Sequence, residues 1–284
     1  MCNQLLDLFH GVRGGQVVPY LGADALHGVV HLETGRPIPA DSDSLILAMN
    51  DGKPMSPKLM FEFSRAAMNL ELKRGRSFVN RFLTQTYGDD VWTRSELHAS
   101  IAALNPPYVI DINRDTQLQT LYADRPHVLI TGISRIGGTD YRFKTYRLKD
   151  GRYVATDHTL IDKEETILFK PMGTPVPEPN YIASDADYVD YLTELMGGFG
   201  IPGFVKERRV GKQYLTIGLR MTRDTERMTL SDIVYAAGSP CGWAVIENPS
   251  DKERRFCASK DIHVIEASVE TVLETLRVFT ASCV

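Results

Sequence analysis

Short apolar runs rich in β-branched residues recur along the whole chain: Q-V-V-P-Y-L-G at 16–22, Y-V-I-D-I-N at 108–113, H-V-L-I-T-G at 127–132 and T-I-L-F-K at 166–170. Three more follow at 213–218 (Q-Y-L-T-I-G), 242–247 (G-W-A-V-I-E) and 261–267 (D-I-H-V-I-E-A). Runs this short and this continuously apolar suit strands buried on both faces, as in a parallel sheet.

Helical patterns lie between most of them. S-E-L-H-A-S-I-A-A-L at 95–104 is halted by Asn105-Pro106-Pro107, because proline cannot continue a helix and biases its predecessor toward extended backbone. Ser184-Asp185 opens a second helix that stops at Gly197-Gly198, and Ser268 caps a third at the C-terminus. Strands alternating with helices predict an α/β fold, a Rossmann-like doubly wound and mostly parallel sheet.

Two segments interrupt the alternation. Residues 35–57 are loop-like with four prolines, and helical stretches follow at 58–72 and 77–87, so 35–90 reads as a loop and helical insertion beside the sheet. Residues 141–155 alternate polar and apolar around Asp150-Gly151, which predicts a β-hairpin excursion within 139–160. No repeat or low-complexity tract breaks the chain, so 1–284 is expected to be one domain.

Composition adds exclusions. A hydrophobic fraction of 43% with 24% charged residues is globular, and a net charge of −4 gives no electrostatic reason for a nucleic-acid or anionic-membrane partner. The tetrads Lys206-Glu207-Arg208-Arg209 and Lys252-Glu253-Arg254-Arg255 read as solvated faces. Cys2, Cys241, Cys257 and Cys283 form no C-x-x-C pair, which argues against a zinc site and a disulfide scaffold. With no leader-like N-terminus and no apolar run near the roughly 18 to 20 residues of a membrane span, the expectation is a cytoplasmic protein with no membrane partner.

In a doubly wound fold the ligand lies at the carboxyl ends of the strands, so the residues directly after each run matter most. Here they are Gly22-Ala23-Asp24-Ala25, Asn113-Arg114-Asp115, Lys170-Pro171-Met172-Gly173 and Gly218-Leu219-Arg220. In order and spacing, from residue 16 to 277, they resemble the sirtuin-like NAD-utilising family, in particular its bacterial branch without a zinc ribbon. That family carries G-A-G-x-S, T-N-x-D, K-x-H-G and a late strand ending in G-x-S.

The resemblance implies an NAD or ADP-ribose ligand held by Gly22, Ala23, Lys170, Gly173, Gly218 and Arg220, with Asn113 and Asp115 as catalytic candidates. It also exposes departures. Met172 stands where the family's general base, a histidine, is expected, and a thioether has no proton to exchange. Asp24 replaces a phosphate-loop glycine, Leu26 and Arg220 replace serines, and Asp111 and Ile112 replace threonines. These changes imply a catalytically degenerate module with a protein partner, in which buried Asp24, Asp111, Arg114 and Arg220 neutralise one another. Two rivals stay open. One is an NAD hydrolase or ADP-ribosyl-type enzyme with an open cleft lined by Gly22, Asn113 and Lys170, where Asp115 or a relocated His158 supplies the base. The other is a nucleotide sensor using Lys170 and Arg220. A metal pair at His27 and His31 is weakened by the glycine and valines between them, and no resident metal is expected.

Overall fold

A computed structural model describes residues 2–282. The strands are β1 (Val17–Leu21), β2 (Tyr108–Asp111), β3 (Val128–Gly132), β4 (Phe143–Lys149), β5 (Arg152–Ala155) and β6 (Ile167–Lys170). A two-residue pair follows, β7 (Gly173–Thr174) with β8 (Asn180–Tyr181), and then β9 (Gln213–Ile217), β10 (Gly242–Val245) and β11 (Ile262–Ile265). Nine of them form one sheet in the order β11-β10-β9-β1-β2-β6-β3-β4-β5. Pairing is parallel from β11 to β3, and antiparallel only where β4 meets β3 and β5.

Period-two alternation sends successive side chains of a strand to opposite faces. Val18 and Tyr20 of β1 enter one core, with Ile110, Ile130, Phe169 and Tyr214. Val17 and Leu21 enter the other, with Val109, Leu129, Leu168 and Leu215. The second face is covered by helices Cys2–Arg13, Glu96–Ala103 and Val269–Ala281, and the first by Asp185–Gly197, Gly203–Arg208 and Asp224–Ile233. This is the mostly parallel Rossmann-like α/β arrangement that the strand pattern predicts.

The β4–β5 hairpin turns at Asp150 (φ 49°) and Gly151 (φ 73°); two successive positive φ values make the tight turn that Asp-Gly favours. The hairpin extends the edge of the main sheet. The insertion is more ordered than its prolines suggest. A helix runs over Ser42–Met49 inside the segment read as loop-like, because Asp41 caps it, accepting from the backbone N–H groups of Asp43 and Ser44 (2.8 and 2.9 Å). With Phe63–Arg74 and Arg76–Thr84 it encloses a third core around Ile46, Ala66, Ala67, Val79 and Leu83.

The reading of the two charged tetrads as solvated faces needs correction. Arg208 donates to the Glu165 carbonyl (2.5 Å) and Arg209 to that of Asp232 (3.0 Å), while Glu253 is fully buried. The tetrads therefore mix solvated charges with ties between elements. Cys241 and Cys257 are buried free thiols, with burial the main cause pushing each up to about 11. Cys283 lies outside the described residues, as does the side chain of Cys2. Among the described residues no helix is long and apolar enough to cross a membrane.

Candidate functional site

The ends of β1, β2 and β6 meet in a sealed polar node. Lys170, whose side chain is 0% exposed, places Nζ 2.7 Å from Asp111 Oδ2 and 3.5 Å from Asp115 Oδ2. His98, on the helix behind the sheet, sets Nε2 3.2 Å from the same Asp111 oxygen. The other oxygen, Oδ1, accepts from the Asn113 backbone N–H and from Asn113 Nδ2, both at 2.9 Å, and Nδ2 also donates to the Gly22 carbonyl (2.8 Å). Burial works to raise the pKa of Asp111, but Lys170 and then His98 outweigh it and hold the carboxyl well below the usual range.

Ser95, His98 and Asp111 have the connectivity of a nucleophile, a base and an orienting acid. They are not a catalytic triad, because the Ser95 hydroxyl donates to the Ala25 carbonyl (2.7 Å) and all three side chains are sealed from solvent. Ser95 also caps its helix, accepting from the His98 backbone N–H (3.2 Å). His98 Nδ1 lies 2.8 Å from that hydroxyl, whose proton is already committed, and Nε2 faces a carboxylate. The Lys170 ammonium is the cation that faces both Asp111 and Asp115. The grouping of His98, Asp111 and Asp115 has metal-ligand proximity, yet the Lys170 ammonium already supplies a cation there.

Met172 follows directly. It is 3% exposed, packs in the first-face core, and its sulfur accepts from the Tyr188 hydroxyl at 3.2 Å. Arg114 donates to the Ile182 carbonyl and lies over the Phe63 ring at 5.3 Å. The glycines hold close approaches. A Cβ at Gly22 would sit 2.4 Å from the Gly218 carbonyl oxygen, and one at Gly173 (φ 83°) 1.9 Å from that of Asn180. In the loop after β1, the N–H groups of Gly22 and Asp24 donate to the carbonyls of Ile217 and Gly218, at 2.9 and 3.0 Å. The loop then turns into a four-residue 3-10 segment, Ala23–Leu26. Backbone donors that a diphosphate loop leaves free are here used to join β1 to β9.

Above this rim lies a cavity of about 80 Å³ between sheet and insertion. Its walls include Tyr20, Asn113, Met172 and Tyr188 from the sheet side, with Phe63 and Tyr87 from the insertion; Gly22 and Lys170 do not reach it. Two ties hold the insertion down. On one side Glu62 accepts from the Thr225 hydroxyl, and Ser64 Oγ donates to Asp185 (2.6 Å). On the other, Arg135 binds Glu71 through both terminal nitrogens (2.8 and 3.0 Å) and Asp187 through Nε (2.8 Å), while Arg76 joins Glu71 (3.2 Å) to Asp187. Charged forks of this kind are among the stronger hydrogen bonds.

Arg220 does not enter the cavity. Its guanidinium pairs with both oxygens of Glu253 (3.0 and 3.1 Å) and donates to the Glu247 carbonyl (2.9 Å). It lines a separate depression of about 200 Å³ with Asp24, His27, Glu247 and Glu270, beyond the ends of β9, β10 and β11. Asp24 is pushed up by burial, with Arg220 opposing. The expected mutual neutralisation of Asp24, Asp111, Arg114 and Arg220 is therefore corrected: Asp111, Arg114 and Arg220 each have a separate partner.

No family model matches this chain, and no curated protein matches it in sequence.

The remaining candidates stand apart. His27 meets Glu270 (3.0 Å), whereas His31 accepts from Glu33 and Thr34 N–H groups, so the two do not converge. His158 packs against Tyr141 and Phe143, 4.8 and 5.2 Å between ring centroids, in a surface depression that Met172 does not line. Sequence reasoning missed His98, Glu62 and Glu226. The available signal for His98 was its place three residues after the Ser95 cap; the two glutamates carry no local signal, because long-range packing brings them to the cavity.

Proposed function

We propose that this chain is a sirtuin-like domain that has lost NAD chemistry and acts through binding, as a regulatory or assembly partner of another protein. The observation that carries the reading is Met172: at the strand end where the resemblance expects a histidine base, a buried thioether accepts a hydrogen bond from Tyr188. Loss of a positioned base lowers rates by about a hundredfold to ten-thousandfold. The surroundings support it. A cavity of about 80 Å³ falls short of the roughly 300 Å³ at which ligand pockets begin, so these residues do not fit a dinucleotide. Lys170 and Arg220, the cationic candidates for phosphate, are engaged by carboxylates.

An interaction role has surface to work with. Val189 and Met196, seven residues apart on one helix, are exposed, and so are Phe199 just beyond its end and Tyr141, whose ring centroids are 6.1 Å apart. The test is nicotinamide release and thermal shift with NAD and with ADP-ribose at millimolar concentration, on wild type and Met172→His. The expected result is no release and no shift from either protein. Release by wild type that disappears in Asn113→Ala overturns the proposal in favour of a hydrolase, and stabilisation without turnover overturns it in favour of a sensor.

A further inference from the structure

The cavity left between sheet and insertion is unusually rich in acceptors. Glu62 and Glu226 line it together with the hydroxyls of Tyr20 and Thr229. Those two hydroxyls are buried and have no hydrogen-bond partner in the protein, although both residues form the wall. Buried polar atoms without partners are uncommon in folded proteins, and two on the wall of one cavity point to a guest that supplies their partners. The charged groups of the wall are three carboxyl groups, Asp41, Glu62 and Glu226, against two arginines, Arg114 and Arg223. Arg114 is committed to the Ile182 carbonyl, and Arg223 lies over the Phe61 ring at 4.8 Å with Asp43 4.0 Å away, so it offsets Glu226 only in part. Rings of Tyr20, Phe63, Tyr87 and Tyr188 form much of the remaining surface. Aromatic faces with convergent carboxyl groups suit an ammonium ion.

We infer that this cavity is a binding site for a small primary alkylammonium ion, held by Glu62 and Glu226 against the aromatic walls and hydrogen-bonded by the Tyr20 and Thr229 hydroxyls. By volume it admits a guest of about five heavy atoms, since one water-sized probe needs roughly 10 to 15 Å³. The inference rests on the reading that no dinucleotide occupies the cleft.

A pH signature follows. Burial and then nearby Glu62 hold the Glu226 carboxyl up, to about 8, against the opposing Arg223 N–H and side chain, with Glu253 adding to the rise and Tyr20 and Tyr188 the neutral groups beside it. A bound cation ionises Glu226 and displaces its proton. Affinity should therefore climb by up to about tenfold per pH unit between pH 6 and 8 and level off above.

The experiment is calorimetry and thermal shift of the full chain with propylamine hydrochloride at constant ionic strength, beside propanol and sodium propionate of the same size. Saturable binding of propylamine alone, with close to one proton released at pH 7 and at least tenfold weaker binding in Glu226→Gln, is the expected result. No saturable binding, or an equal response to propanol, overturns the inference. Tyr20→Phe, which removes one hydroxyl without changing the charge, is the second variant should Glu226→Gln fold poorly; unchanged affinity there also counts against the site. Nicotinamide release is read separately, so a failure of amine binding with no NAD turnover rejects this inference and leaves the preceding one standing.

Discussion

Asp111 and Glu226 are both carboxyl groups taken largely out of water, and they titrate in opposite directions. For each the largest single influence is burial, which favours the neutral form. Asp111 nevertheless stays ionised because Lys170 and His98 lie against one of its oxygens and Asn113 donates twice to the other. Glu226 meets only the Arg223 N–H (3.3 Å) as a close donor and shares its surroundings with Glu62, so it is pushed up to about 8. Burial sets the stakes, and the partner decides the sign. One region is a closed internal salt of the fold, and the other holds a carboxyl that Arg223 offsets only in part.

The largest effect should come from Lys170→Met, which removes the cation from the first region and leaves Asp111 and Asp115 buried together. Breaking a buried pair by deleting one partner costs about 3 to 5 kcal/mol, and denaturant unfolding should show a lower midpoint with an unchanged slope. The sign with pH is fixed as well. The contribution of Asp111 is present above the ordinary carboxylate pKa and is lost as pH falls through its lowered value. The gap between wild type and variant should thus be widest near neutrality and narrow below about pH 4, where a protonated Asp111 needs no cation. A gap that does not change with pH would mean the node is held by packing rather than by charge.

Glu226→Gln should act in the opposite direction and by less. A raised carboxyl gives stability that is complete below its unfolded pKa, near 4.5, and is lost as pH rises toward about 8. Replacing it with a neutral amide abolishes that loss, for a gain of up to about 3 kcal/mol at pH 7 to 8 and little at pH 4. Melting temperatures at the two pH values check this, and a variant less stable than wild type at pH 8 would mean that the Arg223 side chain outweighs burial at Glu226.

The same contrast explains what could be read from the sequence. Apolar runs and turn residues are local signals, so the strands, the Asp150-Gly151 hairpin and the Ser184 and Ser268 caps were legible. Partnership is not local. Nothing near Asp111 in sequence says that Lys170 is its counter-ion 59 residues away, or that Glu62 would accept from Thr225 across 163 residues. Arg220 illustrates the limit: its type suggested a nucleotide contact, but only the fold brings Glu253 within 3.0 Å and turns the guanidinium out of the cavity. The helix at Ser42–Met49 is hidden for a different reason: the prolines on either side of it signal loop, and its Asp41 cap is a single residue.

Arg220 also offers the mildest probe of the comparison. Glu253 is buried like Asp111 and is held down in pKa, with burial opposing and the Ser250 N–H and hydroxyl acting ahead of Arg220. It accepts from the Ser250 N–H (2.9 Å), the Ser250 hydroxyl (2.7 Å) and the Met221 N–H (3.2 Å), none of which depends on the arginine. Arg220 itself is 41% exposed in its side chain, so water screens the pair. Arg220→Ala should therefore cost no more than about 1 kcal/mol, a difference that shrinks in high salt. If unfolding measurements instead give a loss as large as that of Lys170→Met, then three neutral donors are no substitute for a cation at a buried carboxylate. Asn113 and His98 would in that case matter less at Asp111 than the Lys170 charge alone.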